Sequence, residues 1–330
     1  MKAGLEIGLH AVVVAVAEDG PQVLIVPEPQ NKNQSMDALP FGPFDPEKHR
    51  TLDIGLRNWV EEQTRLSLGY VEQLYTFGDQ GRTRTGVQGD INLVSIGYLA
   101  LVRIANESGV YKTLNWQNWY SFFPWEDWRN GEPALLQEIL MPALADWVRQ
   151  SPDQASGSDG LERLARFRLA FGCDLPKSGS PNINSWDEER VLERYELMYE
   201  AGLMVEAVSD GYVKQRPIEE TCGRAMLHDH RRILATAMAR LRSKLKYRPV
   251  VFELMPNDFT LTELQTTVEL LSGRKVHKQN FRRLVETAEL VEPTGAQSSQ
   301  TGGRPAALYR FRRKVLRERP APGLRIGSRG

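Results

Sequence analysis

The sequence predicts an α+β chain. It has an α/β/α sandwich over its first 150 residues, a helical connecting region, and a winged helix-turn-helix at its carboxyl end. Three observations carry this. Residues 260–290 read as two helices around a tight turn, the second of them basic, and residues 304–311 read as a strand returning from a hairpin. Residues 9–104 pass through apolar strand patterns interrupted by one amphipathic helix. The formal net charge of zero is unevenly spread: residues 240–330 hold 19 Lys and Arg against 8 Asp and Glu, the remainder 23 against 34. A basic end on an acidic body suits a nucleic-acid-binding module joined to something else.

In chain order, residues 9–26 flank Asp19-Gly20 with strand patterns, a hairpin signal. The polar stretch 27–37 is expected to be a loop. Residues 52–64 predict a helix, 70–77 a strand and 91–104 a long apolar strand. The aromatic run WQNWYSFFPWEDW then precedes a helix near 133–148. These elements form a first domain, 1–150. SPDQASGSDG, at 151–160, has linker composition. Helices are expected at 161–171, at 186–205 with Ser185 and Glu188 as a capping box, and at 224–247 as a lever between domains. Residues 151–240 therefore read as linker and connecting helices, 241–316 as the winged helix, and the Pro-, Gly- and Arg-rich 317–330 as a disordered tail.

At the carboxyl end Thr260 and Glu263 form a capping box for the supporting helix. In the second helix Phe281, Leu284, Val285 and Ala288 repeat at helical spacing and should pack inward, leaving Lys278, Gln279, Arg282 and Arg283 outward. Such a helix enters the major groove of double-stranded DNA. Arg or Lys there can bond guanine O6 and N7, and Gln can bond adenine. Asn280, toward the flank, suits phosphate, and Lys275, in the turn, is a further DNA-binding candidate. Arg304, beside Gly302 and Gly303, suits phosphate or the minor groove, because glycines let the backbone approach closely.

The longest apolar run, 11–17, is far too short to span a bilayer, and Cys173 and Cys222 offer neither metal spacing nor a disulfide framework. A cytoplasmic protein with no membrane partner is expected. His228-Asp229-His230 places two imidazoles two apart, where they do not face each other on a helix, so a structural role is favoured over a metal site. Trp116, Trp119, Trp125 and Trp128 are expected to pack a core rather than to stack a base.

Residues 39–66, LPFGPFDPEKHRTLDIGLRNWVEEQTRL, resemble the Nudix box, G-x5-E-x7-R-E-U-x-E-E-x-G-U, whose glutamates hold divalent metal against a diphosphate. Aligned on Arg57, the first Gly falls on Pro43 with Gly42 one position off, the first Glu on His49, the Glu after Arg on Asn58, and the last Gly on Thr64. Arg57, Trp59, Glu61 and Glu62 match. On the helical wheel Leu52, Leu56, Trp59, Val60 and Gln63 share one face, and Arg57, Asn58, Glu61 and Glu62 share the other. A hard cation needs several carboxylates, so the loss of two acids argues against hydrolysis and against a bound metal.

EQLYTFGDQGRTR (72–84) with VSIGYLALV (94–102) resembles the region after the box in the NrtR family of Nudix-related transcriptional regulators. LRSKLKYRPVVFELMPNDFTLTELQ, NFRRL and GRPAALYRF resemble their carboxyl-terminal signature. The resemblance covers residues 1–150 and about 224–316; residues 151–223 depart from it. With the eroded box, it points to the alphaproteobacterial NadQ subgroup, repressors of NAD-synthesis genes. The resemblance implies a homodimer, a palindromic operator, no required cofactor, and an adenine-nucleotide effector: ADP-ribose in NrtR-like proteins, NAD or ATP in the NadQ type. Arg82 and Arg84 match the family's arginines after the Gly-Asp turn, with Thr83 between them where the family has Asp. They could clamp phosphates, and with Arg57, Glu61 and Glu62 they make the expected ligand site. Two other readings compete: an active Nudix hydrolase of ADP-ribose or dinucleotides fused to a DNA-binding domain, and a DNA-binding protein with an empty sensor.

Overall fold

The computed structural model describes residues 4–31, 34–78, 83–86, 89–103, 109–150, 159–175, 186–213, 222–298, 305–318 and 324. The amino-terminal sheet is built on β1 (Gly4–Ala17), which turns through residues 18 and 19 into β2 (Gly20–Leu24). A two-stranded hairpin, β3 (Val26–Asn31) and β4 (Gln34–Ala38), leads to β5 (Phe41–Pro43), the helix α1 (Leu52–Thr64), β6 (Tyr70–Phe77), β7 (Thr83–Gly86) and β8 (Gly89–Leu101). Then come α2 (Gly109–Thr113), β9 (Trp116–Asn118), two 3-10 turns, and α3 (Met141–Arg149) after one π turn. The sheet order is β6-β8-β1-β2-β9, with β5 on β1 and β7 on β8.

β1 and β8 run parallel, in register from Gly4 with Ile91 to Val14 with Leu101. Both faces of this central pair are covered, which is why β1 reads as nearly continuous apolar sequence rather than alternating. Leu9, Ala11, Val13 and Ala15 pack with Leu56 and Val60 of α1. Val12 and Val14 point to the opposite face, into a core shared with the helices described next. That gives the α/β/α layering. Residues 27–37, expected as a loop, are instead largely the β3–β4 hairpin, with Pro27 opposite Asp37 and Pro29 opposite Ser35. The Asp37 carbonyl points away from β3 and accepts the Leu227 N–H at 2.8 Å, so Pro27 opposite it faces outward too and loses no ladder bond.

The described helices in the middle of the chain pack into the core. Helices α4 (Asp159–Phe171), α5 (Val191–Glu200), α6 (Val205–Ser209) and α7 (His230–Tyr247) contribute Phe167, Tyr195, Leu197, Ala207, Leu234 and Leu241, all buried, and most share one core with Val12, Trp119 and Leu264. Most of the Ser- and Gly-rich stretch lies outside the described residues, and so does Ser185. α5 starts at Val191 without a side-chain cap, several residues later than expected. Glu188 is buried and pairs with Lys246 at 3.0 Å; the expected capping box with Ser185 falls outside the described residues. The lever helix likewise starts at His230, six residues after its expected start at Arg224.

The carboxyl-terminal domain contains β10 (Asp258–Phe259), α8 (Leu261–Ser272), α9 (Lys278–Ala288), β11 (Val291–Ser298), β12 (Ala306–Phe311) and α10 (Val315–Glu318). Its small sheet has the order β10-β12-β11. The first of these strands was not legible, because two residues carry no periodicity. Within the expected tail, Leu324 is buried and its N–H donates to the Leu245 carbonyl at 3.0 Å, so that point is anchored to α7. Among the described residues no helix is long and apolar enough to cross a membrane.

Candidate nucleic-acid interface and ligand cavity

α8 is set by its ends. Thr260 Oγ1 accepts the Glu263 N–H at 3.1 Å, and Glu263 Oε2 accepts the Thr260 N–H at 2.6 Å, the reciprocal capping box read from the sequence. Gly273 ends the helix in the left-handed region, φ 74°. Glu269 then organises the turn by accepting from Gln265, the Val276 N–H and Lys275. Burial alone would raise its carboxyl; these donors outweigh it and hold it below the usual range. Lys275 is exposed, and its ammonium is already paired with Glu269 at 3.0 Å.

α9 is anchored by Phe281 and Val285, both buried, with Leu284 and Ala288 half-buried. Lys278, Gln279, Asn280, Arg282 and Arg283 are exposed, as the helical spacing required. No described side chain caps the start of α9 at His277, and a helix N-terminus of that kind favours an anion. Arg304 lies outside the described residues.

The turn between α8 and α9 is fastened to the body of the molecule, which sequence reasoning missed. Tyr120 Oη donates to the Leu270 carbonyl at 2.7 Å, Trp128 N–H to the Gly273 carbonyl at 2.8 Å, and Arg242 Nε to the Leu271 carbonyl at 3.1 Å. A Cβ on Gly273 would sit 2.4 Å from the Glu126 carbonyl oxygen, so only glycine permits this approach. Beneath the turn, fully buried Glu126 pairs with Arg194 and with Arg242, each at 2.7 Å. Burial pushes the Glu126 carboxyl up, but the two guanidinium groups outweigh it and hold it below the usual carboxylate range. Arg274, in the turn itself, donates to the Trp186 carbonyl at 2.7 Å. The Trp cluster is core: Trp119 and Trp125 are fully buried, Trp116 stacks on Tyr111, and Trp128 packs 4.6 Å from Trp186.

The helix matching the Nudix box engages its arginine with its own helix and the loop after it. Arg57 Nε bonds Asp53 at 2.8 Å and its other nitrogens bond the Leu68 and Gly69 carbonyls, so the guanidinium is committed to its own helix and the loop after it. Asn58, Glu61 and Glu62 are exposed. His49, at the position of the first glutamate, is buried; its Nδ1 accepts the Asp45 N–H and the ring lies against Gly55. Trp59 donates to the Pro43 carbonyl at 2.9 Å and covers Gly42, where a Cβ would fall 2.2 Å from the indole. Gln63 bonds both the N–H and the carbonyl of Phe41. Arg82 lies outside the described residues. Arg84 is in β7 opposite Ile91, and its side chain is not described.

Of the expected ligand residues whose side chains are described, Arg57, Glu61 and Glu62, none lines the cavity described here. That cavity, of about 190 Å³, is bounded by Glu6, Gly8 and His10 of β1, Glu28 of β3, residues 41–43 of β5, Leu93, Leu227 and His228. His10 Nδ1 and His230 Nε2 are 3.0 Å apart, and His230 Nδ1 accepts the Leu39 N–H at 3.0 Å. Burial, with His10 and His228 nearby, keeps the His230 pKa well below the usual imidazole range. The His228-Asp229-His230 stretch thus serves structure at His230, while His228, at φ 49°, reaches the cavity rim. Among the described residues no group of three His, Cys, Asp or Glu could hold a metal.

A Nudix-like sandwich carrying a winged helix defines a two-domain protein with one reading head and one cavity-bearing body. Residues 251–311 match the family model of the NrtR DNA-binding winged helix domain. The chain is 42% identical, over 94 residues, to the ADPR responsive transcriptional repressor NtrR of Acinetobacter baylyi; the match covers 28% of this chain and 37% of that one. It therefore spans little more than a third of the length of that curated relative. The structure matches Shewanella oneidensis NrtR crystallised with a 27mer DNA at TM-score 0.51 and 20% identity, covering 94% of this chain and 95% of that one. The carboxyl-terminal residues are thus similar to the NrtR winged helix domain, and the chain as a whole shares the fold of Shewanella oneidensis NrtR.

Proposed function

We propose that this protein is a transcriptional repressor that binds a palindromic operator as a homodimer and senses an adenine nucleotide in its Nudix-like domain. The observation that carries this reading is α9, where Phe281 and Val285 seat the helix while Lys278, Gln279, Asn280, Arg282 and Arg283 stand in solvent. Each copy offers one such helix, so reading a palindrome takes two, about 34 Å apart on one face of the duplex. ADP-ribose is the first effector to test, because the Acinetobacter relative is ADPR-responsive; NAD and ATP are the alternatives. The target genes are those of NAD biosynthesis, on the sequence resemblance to the NadQ subgroup. The amino-terminal domain acts without hydrolysis, since His49 and Asn58 replace two of the acids a metal would need. Retardation of duplexes from upstream of NAD-biosynthesis genes, with and without each nucleotide, tests this. Specific retardation that shifts with one nucleotide is expected. Indifference to every duplex at low salt would overturn it.

A further inference from the structure

Residues 151–223 lie outside the sequence resemblance, yet part of that stretch meets the turn that leads into α9. Three successive carbonyls make the contact. The Trp186 carbonyl accepts from Arg274 of the turn at 2.7 Å, the Asp187 carbonyl from Arg194 of α5 at 2.9 Å, and the Glu188 carbonyl from Arg242 of α7 at 3.1 Å. Side chains hold the same segment. The Arg194 guanidinium lies 3.7 Å from the centre of the Trp186 ring, Trp128 packs against that ring, and Lys246 pairs with Glu188 and Glu189 at 3.0 and 2.5 Å. A strip of backbone gripped by three planar forks from three elements cannot shift without breaking charge-assisted bonds.

The turn carries two cations, Arg274 and Lys275, just before a helix whose own cations are exposed. Lys275 is paired with Glu269. Arg274 is half-buried and commits a guanidinium nitrogen to the Trp186 carbonyl, whereas Arg282 and Arg283 stand in solvent. Its charge sits near the reading face, and its bond is made to the body.

We infer that Arg274 is a positioning residue for DNA recognition, and that the segment 186–188 is the strut against which it sets the angle of α9. The inference rests on the repressor function proposed above and gives residues outside the reading head a part in it. The bond biases the head toward one orientation. Without it only a fraction of molecules present α9 at the groove angle, and apparent operator affinity falls by that fraction. Random duplex is held through backbone charge and needs no such angle.

Full-length Arg274→Met and Trp186→Leu, singly and together, test this by fluorescence anisotropy. The probes are the tightest-binding duplex from upstream of NAD-biosynthesis genes and a random duplex of equal length. Trp186 is buried and uncharged, so its loss removes no DNA contact. Each variant should lower the preference for the specific duplex about tenfold, the scale of a bond to a charged group, with the salt slope kept. The double variant should lose no more than the larger single loss, because both changes release one contact. Should Trp186→Leu fail to fold, Arg274→Met at its half-buried site, with thermal unfolding beside it, still decides. If Arg274→Met weakens both duplexes alike and lowers the salt slope by about one, Arg274 is a phosphate contact and the inference falls. It falls also if stability drops while the preference holds, if the loss is confined to Arg274→Met, or if the two losses add. The repressor function would survive each of these. A wild type that ignores every duplex overturns both.

Discussion

Helices α1 and α9 are similar as sequence, 13 and 11 residues long, each with one apolar and one charged face, yet the fold uses their charges in opposite ways. In α1 the cation is spent: Arg57 serves Asp53 and two carbonyls of the following loop, and the first acid position of the box is a buried His49. In α9 the cations stand in solvent, while buried ions nearby, Arg242 and Glu126, fix the turn that aims the helix. A charged face becomes a binding surface only where other residues do the structural work. On that criterion α9 has the free charged face that the proposed DNA contact needs, and Arg57 of α1 does not.

The largest effect should come from the anchor beneath the turn. Arg242→Ala leaves Glu126 with one guanidinium in a fully buried site, and should cost about 3–5 kcal/mol in urea denaturation. Asn58→Ala on exposed α1 should stay within about 0.5 kcal/mol. Equal losses at the two positions would break the contrast.

On the reading face, Arg282→Ala and Arg283→Ala should leave thermal stability unchanged. A base-reading arginine should cost about 1–3 kcal/mol in operator binding and relax sequence preference, whereas Lys278→Ala at a phosphate should lower the salt slope by roughly one. Fluorescence anisotropy across a salt series separates these. Unchanged affinity in all three variants would remove α9 from the interface.

His230 adds a pH dependence from the body of the molecule. Burial, with His10 and His228 close by, holds its folded pKa well below the unfolded value near ~6.5. Below that value the unfolded chain binds a proton that the folded chain refuses. Stability should therefore be complete above about pH 7 and fall as pH drops through ~6.5, by up to about 1.4 kcal/mol per unit from this group. Denaturation at pH 7.5 and 5.5, with His230→Asn as control, reads the slope. A slope unaltered by the substitution would assign it to other groups.

The smallest effect is expected on α1. Glu61→Gln and Glu62→Gln should leave stability within about 0.5 kcal/mol, and ADP-ribose turnover with Mg²⁺ should be at background before and after the change. Turnover in the wild type that either substitution abolishes would restore the hydrolase reading.

What the sequence made legible is local. Thr260 and Glu263 lie three residues apart and cap one helix; Phe281 and Val285 mark one face of another; Ala17 and Gly20 close a hairpin. What stayed hidden depends on residues far apart. Arg194 and Arg242 look like ordinary solvated arginines until Glu126 is brought between them. His10 and His230 acquire meaning only when β1 meets the start of α7. Glu188 meets Lys246, 58 residues on, a pairing that no local spacing announces. A motif aligned on Arg57 likewise says nothing about which neighbours engage it, here Asp53 and the Leu68 and Gly69 carbonyls.

The bond from Trp128 N–H to the Gly273 carbonyl has a consequence for modularity. A winged helix grafted from a relative at the end of α7 would arrive without the indole-bearing loop, the phenol of Tyr120 and the buried carboxylate that receive its turn. Chimeras cut at residue 248 should lose their aim, whereas those that carry 116–128 across with the reading head should keep it. Recombination in this architecture has to exchange two separated stretches of chain together.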